Sequence, residues 1–189
     1  MADSQPNPWE DLLDTLSNSG GGQFFFPKKG KTSFRIVPED WKRGKDARRF
    51  FTQVDNMYRG QPKTKFIIRA VIGATSSGEI SELYADKVVP LVIAKSAFTQ
   101  ILQILADGDA DLFSLDTGTI LNLNKSGEGK ETTYVIIPTV KVKLIDFDEI
   151  EDASQTLEEW AQAYTERENA RAGSSSSDAS QSSNDDLGW

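Results

Sequence analysis

Lys65-Phe-Ile-Ile-Arg-Ala-Val-Ile72 is the stretch whose pattern decides the fold. Phe66, Ile68, Ala70 and Ile72 share one parity, and Lys65, Ile67 and Arg69 share the other. Side chains alternate across a strand, so a period of two predicts one core-facing row and an exposed face carrying two cations. Ser33-Phe-Arg-Ile-Val37 repeats the alternation and is ended by Pro38, and Arg49-Phe-Phe-Thr-Gln-Val54 is a further candidate strand. In that segment Phe50 and Val54 are expected to point inward, with Arg49, Phe51 and Gln53 outward.

Outward from this centre the pattern continues. Lys87 to Ile93 reads as a strand. A helix follows, with Ser96 near its start, Gly108 as its stop and an apolar stripe of Phe98, Ile101, Leu102 and Leu105. Thr119–Asn124 and Thr132–Ile137 flank the turn Lys125-Ser-Gly-Glu-Gly-Lys130 and predict a hairpin, with strand character returning over 139–145. Thr156-Leu-Glu-Glu159 fits a capping box that opens a last helix, whose stripe is Leu157, Trp160, Ala161 and Tyr164. Five or six short strands with a helix before the final hairpin predict a mainly β protein: a small OB-type β-barrel with one capping helix, a C-terminal helix and a disordered acidic tail.

The 189 residues divide into a flexible acidic segment over 1–22, the barrel domain over 23–150, the helix over 151–171 and the tail over 172–189. The tail is Ser-rich and too poor in apolar residues to offset chain entropy. Tyr58-Arg-Gly-Gln-Pro-Lys-Thr-Lys65 reads as a basic connector, with Gly60 and Pro62 as turn residues.

Composition removes many chemistries. The chain has no Cys and no His, which excludes disulfides, thiolate nucleophiles, the usual general base and the commonest transition-metal ligands. Gly30-Lys31-Thr32 lacks the upstream Gly of a phosphate loop, since Phe25 stands there. Asp107-x-Asp109-x-Asp111 lacks the Gly and Glu of a calcium loop, and the carboxylates from Asp146 to Asp152 read as a solvated acidic face. No cofactor, no metal and no enzymatic activity are expected. The acidic start lacks a secretory leader and no apolar run suffices to span a membrane, so the expected compartment is the cytoplasm.

Charge is sorted along the chain. Residues 1–27 carry −4, residues 28–70 carry +9, residues 71–145 carry −3 and residues 146–189 carry −10, for a net −8. Half of the 18 aromatic residues fall between Phe24 and Phe66, interleaved with the bases. Single-stranded nucleic acid asks for this pairing, because cations neutralise phosphates while ring faces stack bases at roughly 1–3 kcal/mol each. Trp41, Lys42, Arg43, Arg48, Arg49, Phe51, Tyr58, Arg59, Lys63, Lys65 and Arg69 are the residues this reading puts on the DNA. The alternative is a non-enzymatic phage interaction or adaptor protein whose basic strip binds an acidic protein.

Phe24-Phe-Phe-Pro-Lys-Lys-Gly-Lys-Thr-Ser-Phe-Arg-Ile-Val-Pro38, the helix over 94–106 and Gly118–Tyr134 follow one another at spacings that resemble the T-even-type bacteriophage single-stranded DNA-binding proteins. The resemblance spans roughly residues 24–145. It implies an OB fold that coats single-stranded DNA during replication, recombination and repair. It also implies that Lys28, Lys29, Lys31 and Arg35 line one side of a groove, with Lys125, Lys130 and Tyr134 at the hairpin. The zinc-binding Cys and His residues of the best-known members are absent, and the N-terminal segment is acidic where theirs is basic, so their mode of cooperative binding is not expected. The acidic end, with Asp185, Asp186, Leu187 and Trp189, is expected to dock replication or recombination proteins and to compete with DNA for the basic groove.

Overall fold

Hydrophobic alternation gives way to helical spacing twice along the chain, and the elements follow suit. The computed structural model describes residues 24–39, 49–58, 61–75, 86–108, 111–113, 119–139 and 150–174. Strands run Gly30–Ile36 (β1), Phe51–Tyr58 (β2), Gln61–Thr75 (β3), Val89–Ala94 (β4), Ile120–Ser126 (β5) and Thr133–Thr139 (β6). Helix α1 is Lys95–Asp107, between β4 and β5, and helix α2 is Leu157–Ser174. The protein is mainly β: one antiparallel six-stranded sheet, ordered β2-β3-β1-β5-β6 with β4 also on β3, and two helices.

β3 is the spine. One edge pairs with β2 and then with β1, and the other edge pairs with β4. Arg69 marks the hand-over: its N–H donates to the Phe50 carbonyl at 2.9 Å, and its own carbonyl accepts from Val37 N–H at 3.0 Å. The register with β1 jumps from Ser33↔Ala74 to Phe34↔Ile72, which leaves Gly73 as the extra residue of a bulge. β3 also begins earlier than its hydrophobic run, because Met57↔Pro62 and Tyr58↔Gln61 pair at its start. The expected connector is therefore strand, with only residues 59 and 60 between β2 and β3. Pro62 is tolerated there because β4 starts its pairing at Lys65, so no partner needs the missing N–H.

Over residues 66–72 both faces of β3 are buried, which corrects the expectation of one exposed face. Phe66, Ile68, Ala70 and Ile72 join Phe34, Ile36, Leu91, Leu121 and Leu123 in an inner cluster closed by Ala97, Phe98 and Ile101 of α1. Ile67 and Val71 join Val37, Val54 and Val92 in a second cluster beneath Leu157, Trp160 and Tyr164 of α2. Each such side chain gains roughly 1.5–3 kcal/mol on burial, enough to hold α2 on the sheet. Phe50 precedes β2, so strand alternation does not govern it. It lies in the inner cluster while Val54 lies in the outer one, and Phe51 packs inward beside Phe50 rather than outward.

Local signals act as read at several ends. The capping box is made: Thr156 N–H donates to Glu159 Oε2 at 2.7 Å, and Glu159 N–H donates to Thr156 Oγ1 at 3.3 Å. Gly108 ends α1 in the left-handed conformation. On α1 itself Leu102 is exposed, and Ile104 packs against the inner cluster with Leu105. Ser96 lies inside the helix, whose N-cap is Ala94. The hairpin of β5 and β6 turns through Gly127 at φ +75°, where a Cβ would collide with the Glu131 carbonyl.

Among the described residues no pairing joins β4 to β6, so the sheet does not close into the expected barrel. Other groups occupy that seam. Phe25 N–H donates to the Pro90 carbonyl and its carbonyl accepts from Val92 N–H, both at 2.9 Å, which satisfies the outer edge of β4. On β6, the Gln100 side chain donates to the Tyr134 carbonyl at 2.8 Å and accepts from Ile136 N–H at 2.9 Å. One side-chain amide thus supplies both hydrogen bonds that a neighbouring strand would give.

Candidate nucleic-acid interface

The sheet's register collects lysines from four parts of the chain. Gly30↔Lys125 and Lys31↔Asn124 set Lys28, Lys29 and Lys31 beside Lys125 and the turn that carries Lys130. Lys125 Nζ donates to the Pro27 carbonyl at 3.1 Å and lies 6.0 Å from the Tyr134 ring centroid. Lys29 Nζ stands 3.6 Å from the Glu128 carboxylate, with both side chains largely in water. From the other side, Lys65↔Ala94 places the start of β3 beside the end of β4, and Lys95 follows Ala94 as the first residue of α1. Phe25 pairs in parallel with Leu91, so the chain leaving Phe26 travels alongside β4 toward that same end.

The electrostatics agree with this convergence. Burial pulls the Lys65 ammonium below its ordinary value, and the positive fields of Lys63 and Lys125 act in the same direction, while Glu168 opposes them. A cation held down by its neighbours is a cation in a basic cluster. Lys28, Lys29, Lys31, Lys63 and Lys130 are exposed there. Burial raises the Tyr134 phenol, which packs partly against the inner cluster and keeps its edge at the hairpin. Lys95 joins the crescent without having been expected, since only the β3–β4 register places it there.

Several expected groove residues are elsewhere. Arg35 is 1% exposed, on the face of β1 that opposes the inner cluster. Arg69 is 3% exposed beneath α2, where its Nε donates to the Val37 carbonyl at 3.3 Å and its Nη2 to Asp152 at 2.6 Å, with the guanidinium 5.5 Å from the Trp160 ring centroid. Neither can reach a phosphate, because both guanidinium groups are buried, that of Arg69 under Trp160 of α2. Arg49 is exposed but engaged with Glu39 at 3.6 Å and with Glu158 at the start of α2. Phe51 is no stacking platform: its ring centroid lies 4.5 Å from that of Phe98 and 5.1 Å from that of Phe50. Trp41, Lys42, Arg43, Arg48, Arg59, Asp185, Asp186, Leu187 and Trp189 lie outside the described residues, as do residues 1–23, residues 140–149 and the Tyr58 side chain.

Comparison with protein-family models, curated proteins and solved structures finds no match. The interface therefore rests on its own geometry. Among the described residues no group of three or more acidic side chains is placed to hold a metal ion, and no helix is long and apolar enough to cross a membrane. Asp152, one of the carboxylates after Ile145, is engaged by Arg69. What the crescent offers chemically is a dense set of ammonium donors around one partly buried phenol ring.

Proposed function

We propose that this chain binds single-stranded DNA without strong sequence preference, through the lysine crescent, and that it coats and protects the strand in phage-type replication, recombination and repair. The observation that carries the reading is the convergence of Lys28, Lys29, Lys31, Lys63, Lys65, Lys95, Lys125 and Lys130 at one end of the sheet. Nothing in this role requires a covalent step, and a chain without Cys or His suits it.

The strand succession β4-β3-β1-β5-β6, with a helix between β4 and β5, supports an open OB-type barrel to which β2 is an addition. Such barrels bind oligonucleotides with the loop after their first strand and the loop between their last two. In sequence, the segment that follows β1 carries Trp41 and five bases before β2, and Gly127–Thr132 between β5 and β6 carries Lys130. The acidic, apolar end with Asp185, Asp186, Leu187 and Trp189 would recruit replication or recombination proteins.

The test is a fluorescence titration with oligo-dT over a range of salt. Counterion release makes log K fall with log salt at a slope of about −0.7 per neutralised phosphate on a single strand. Tight binding with a slope steeper than about −2 is expected. No binding at low salt, together with capture of an acidic polypeptide, would instead support an adaptor that meets an acidic protein.

A further inference from the structure

Helix α2 covers the outer side of β2, β3 and β4; on the outer side of β1, β5 and β6, Lys31, Val135 and Ile137 are exposed, while Ser33, Arg35 and Asn122 are buried. On that side the register builds two rows across three strands. Lys31 stands opposite Asn124, which stands opposite Val135. One step along, Ser33 stands opposite Asn122, which stands opposite Ile137. Each row runs from a polar group through an amide to a branched aliphatic side chain, and the first begins with an exposed ammonium.

Val135 and Ile137 are each 49% exposed. Their neighbours across β5 are amides: Asn124 is half-buried, and the buried Asn122 holds Ser33 Oγ and Thr139 Oγ1. The two aliphatics are about 7 Å apart along β6, twice the roughly 3.4 Å rise of a stacked strand. That spacing suits the bases of an extended strand rather than a duplex. The one charge in the two rows is the ammonium of Lys31 and neither row holds an Asp or Glu, which suits a polyanion better than a cationic partner.

We infer that Val135, Ile137 and Asn124 form a base-contacting platform for single-stranded polynucleotide, with Lys31 at its phosphate edge. The inference rests on the single-stranded DNA reading above and assigns the path of the strand beyond the lysine crescent. Bases lie against the two aliphatic side chains, the Asn124 amide meets a base edge, and the backbone follows Lys31 toward Lys28 and Lys29. The aromatic-rich segment that first suggested stacking is not needed for this contact.

The experiment is oligo-dT binding by the full chain at fixed and varied salt. Val135→Thr with Ile137→Thr keeps β-branched side chains at exposed strand positions, so the fold is retained. This double variant should lose about tenfold in affinity with its salt slope unchanged, whereas Lys31→Gln should make the slope shallower by about 0.7. Ile137→Phe should tighten binding by adding a stacking ring. If wild type binds in a salt-dependent way and both changes at these positions leave affinity within twofold, the platform is refuted and the crescent stands. If wild type does not bind, the function itself fails. If the Thr variant instead abolishes self-association in sedimentation velocity and leaves DNA affinity unchanged, the surface belongs to a second copy and the platform is overturned.

Discussion

Arg69 Nη2 and Asp152 Oδ1 meet at 2.6 Å across the joint between the sheet and α2, with Arg69 almost wholly enclosed and Asp152 about one-third exposed. The pair lies where β3 changes partner from β2 to β1, and Trp160 closes over it. A cation sealed in this way depends on its carboxylate, since the Val37 carbonyl is its only other hydrogen-bond acceptor described.

Removing that carboxylate leaves an enclosed charge unmatched. Asp152→Ala should cost about 2–3 kcal/mol in urea unfolding, below the full penalty for a sealed pair because Asp152 is partly hydrated. Arg69→Met in the same background should recover most of that loss by replacing the stranded charge with an apolar side chain of similar reach. A double variant no more stable than Asp152→Ala would refute the account.

Gln100 is asked to do the work of a strand on β6. Gln100→Ala removes two hydrogen bonds to the backbone and should destabilise by about 1–3 kcal/mol. It also bares a strand edge, so the variant should self-associate at concentrations where wild type stays unchanged. Light scattering alongside chemical unfolding checks both, and Gln100→Ala behaving as wild type in the two assays would show that the seam is held otherwise.

The lysine crescent makes a quantitative claim about salt. Lys28→Ala with Lys29→Ala should make the slope of log K against log salt shallower by about 1.4 for oligo-dT. Arg49→Ala should leave that slope as it was, because Arg49 is committed to Glu39 and Glu158. Equal effects from both changes would mean that the cations act only through net charge.

Tyr164 couples α2 to alkaline pH. Its phenol is pushed up to about 12, first by burial and then by the charge of Glu168, with Arg167 and Arg171 opposing. The neutral ring is therefore favoured by the folded chain. The stabilisation is complete below the ordinary value near 10 and is lost as pH rises from there to about 12, by about 2 kcal/mol. Tyr164→Phe should remove that decline, which unfolding free energies across this interval would detect. An unaltered decline would assign it to other groups.

Much of the fold could be read from residue pattern. The alternation in Ser33–Val37 and Phe66–Ile72, the Gly-bearing hairpin and the Thr156–Glu159 box all encode their elements within a few residues, and each element is present. What escaped was set by contacts distant in sequence. Arg69 reads as exposed because alternation reports which residues share a face and not what covers it, and α2 arrives from more than 80 residues downstream. Phe51 looks like an outward ring because Phe50 was assigned to the strand. Lys95 carries no local signal at all. At the candidate site the hairpin and the approach to β1 were legible as basic, while their union with Lys63 and Lys65 depends on how β4 pairs.

The bonds that Phe25 makes to Pro90 and Val92 bear on how the molecule can be trimmed. A shortened version that starts at the first long strand would discard the backbone that finishes β4 and strip Phe24 from Tyr164, whose rings lie 5.5 Å apart centre to centre. Whoever engineers a minimal fragment or a fused reporter should leave this tripeptide of phenylalanines attached, or expect insoluble material.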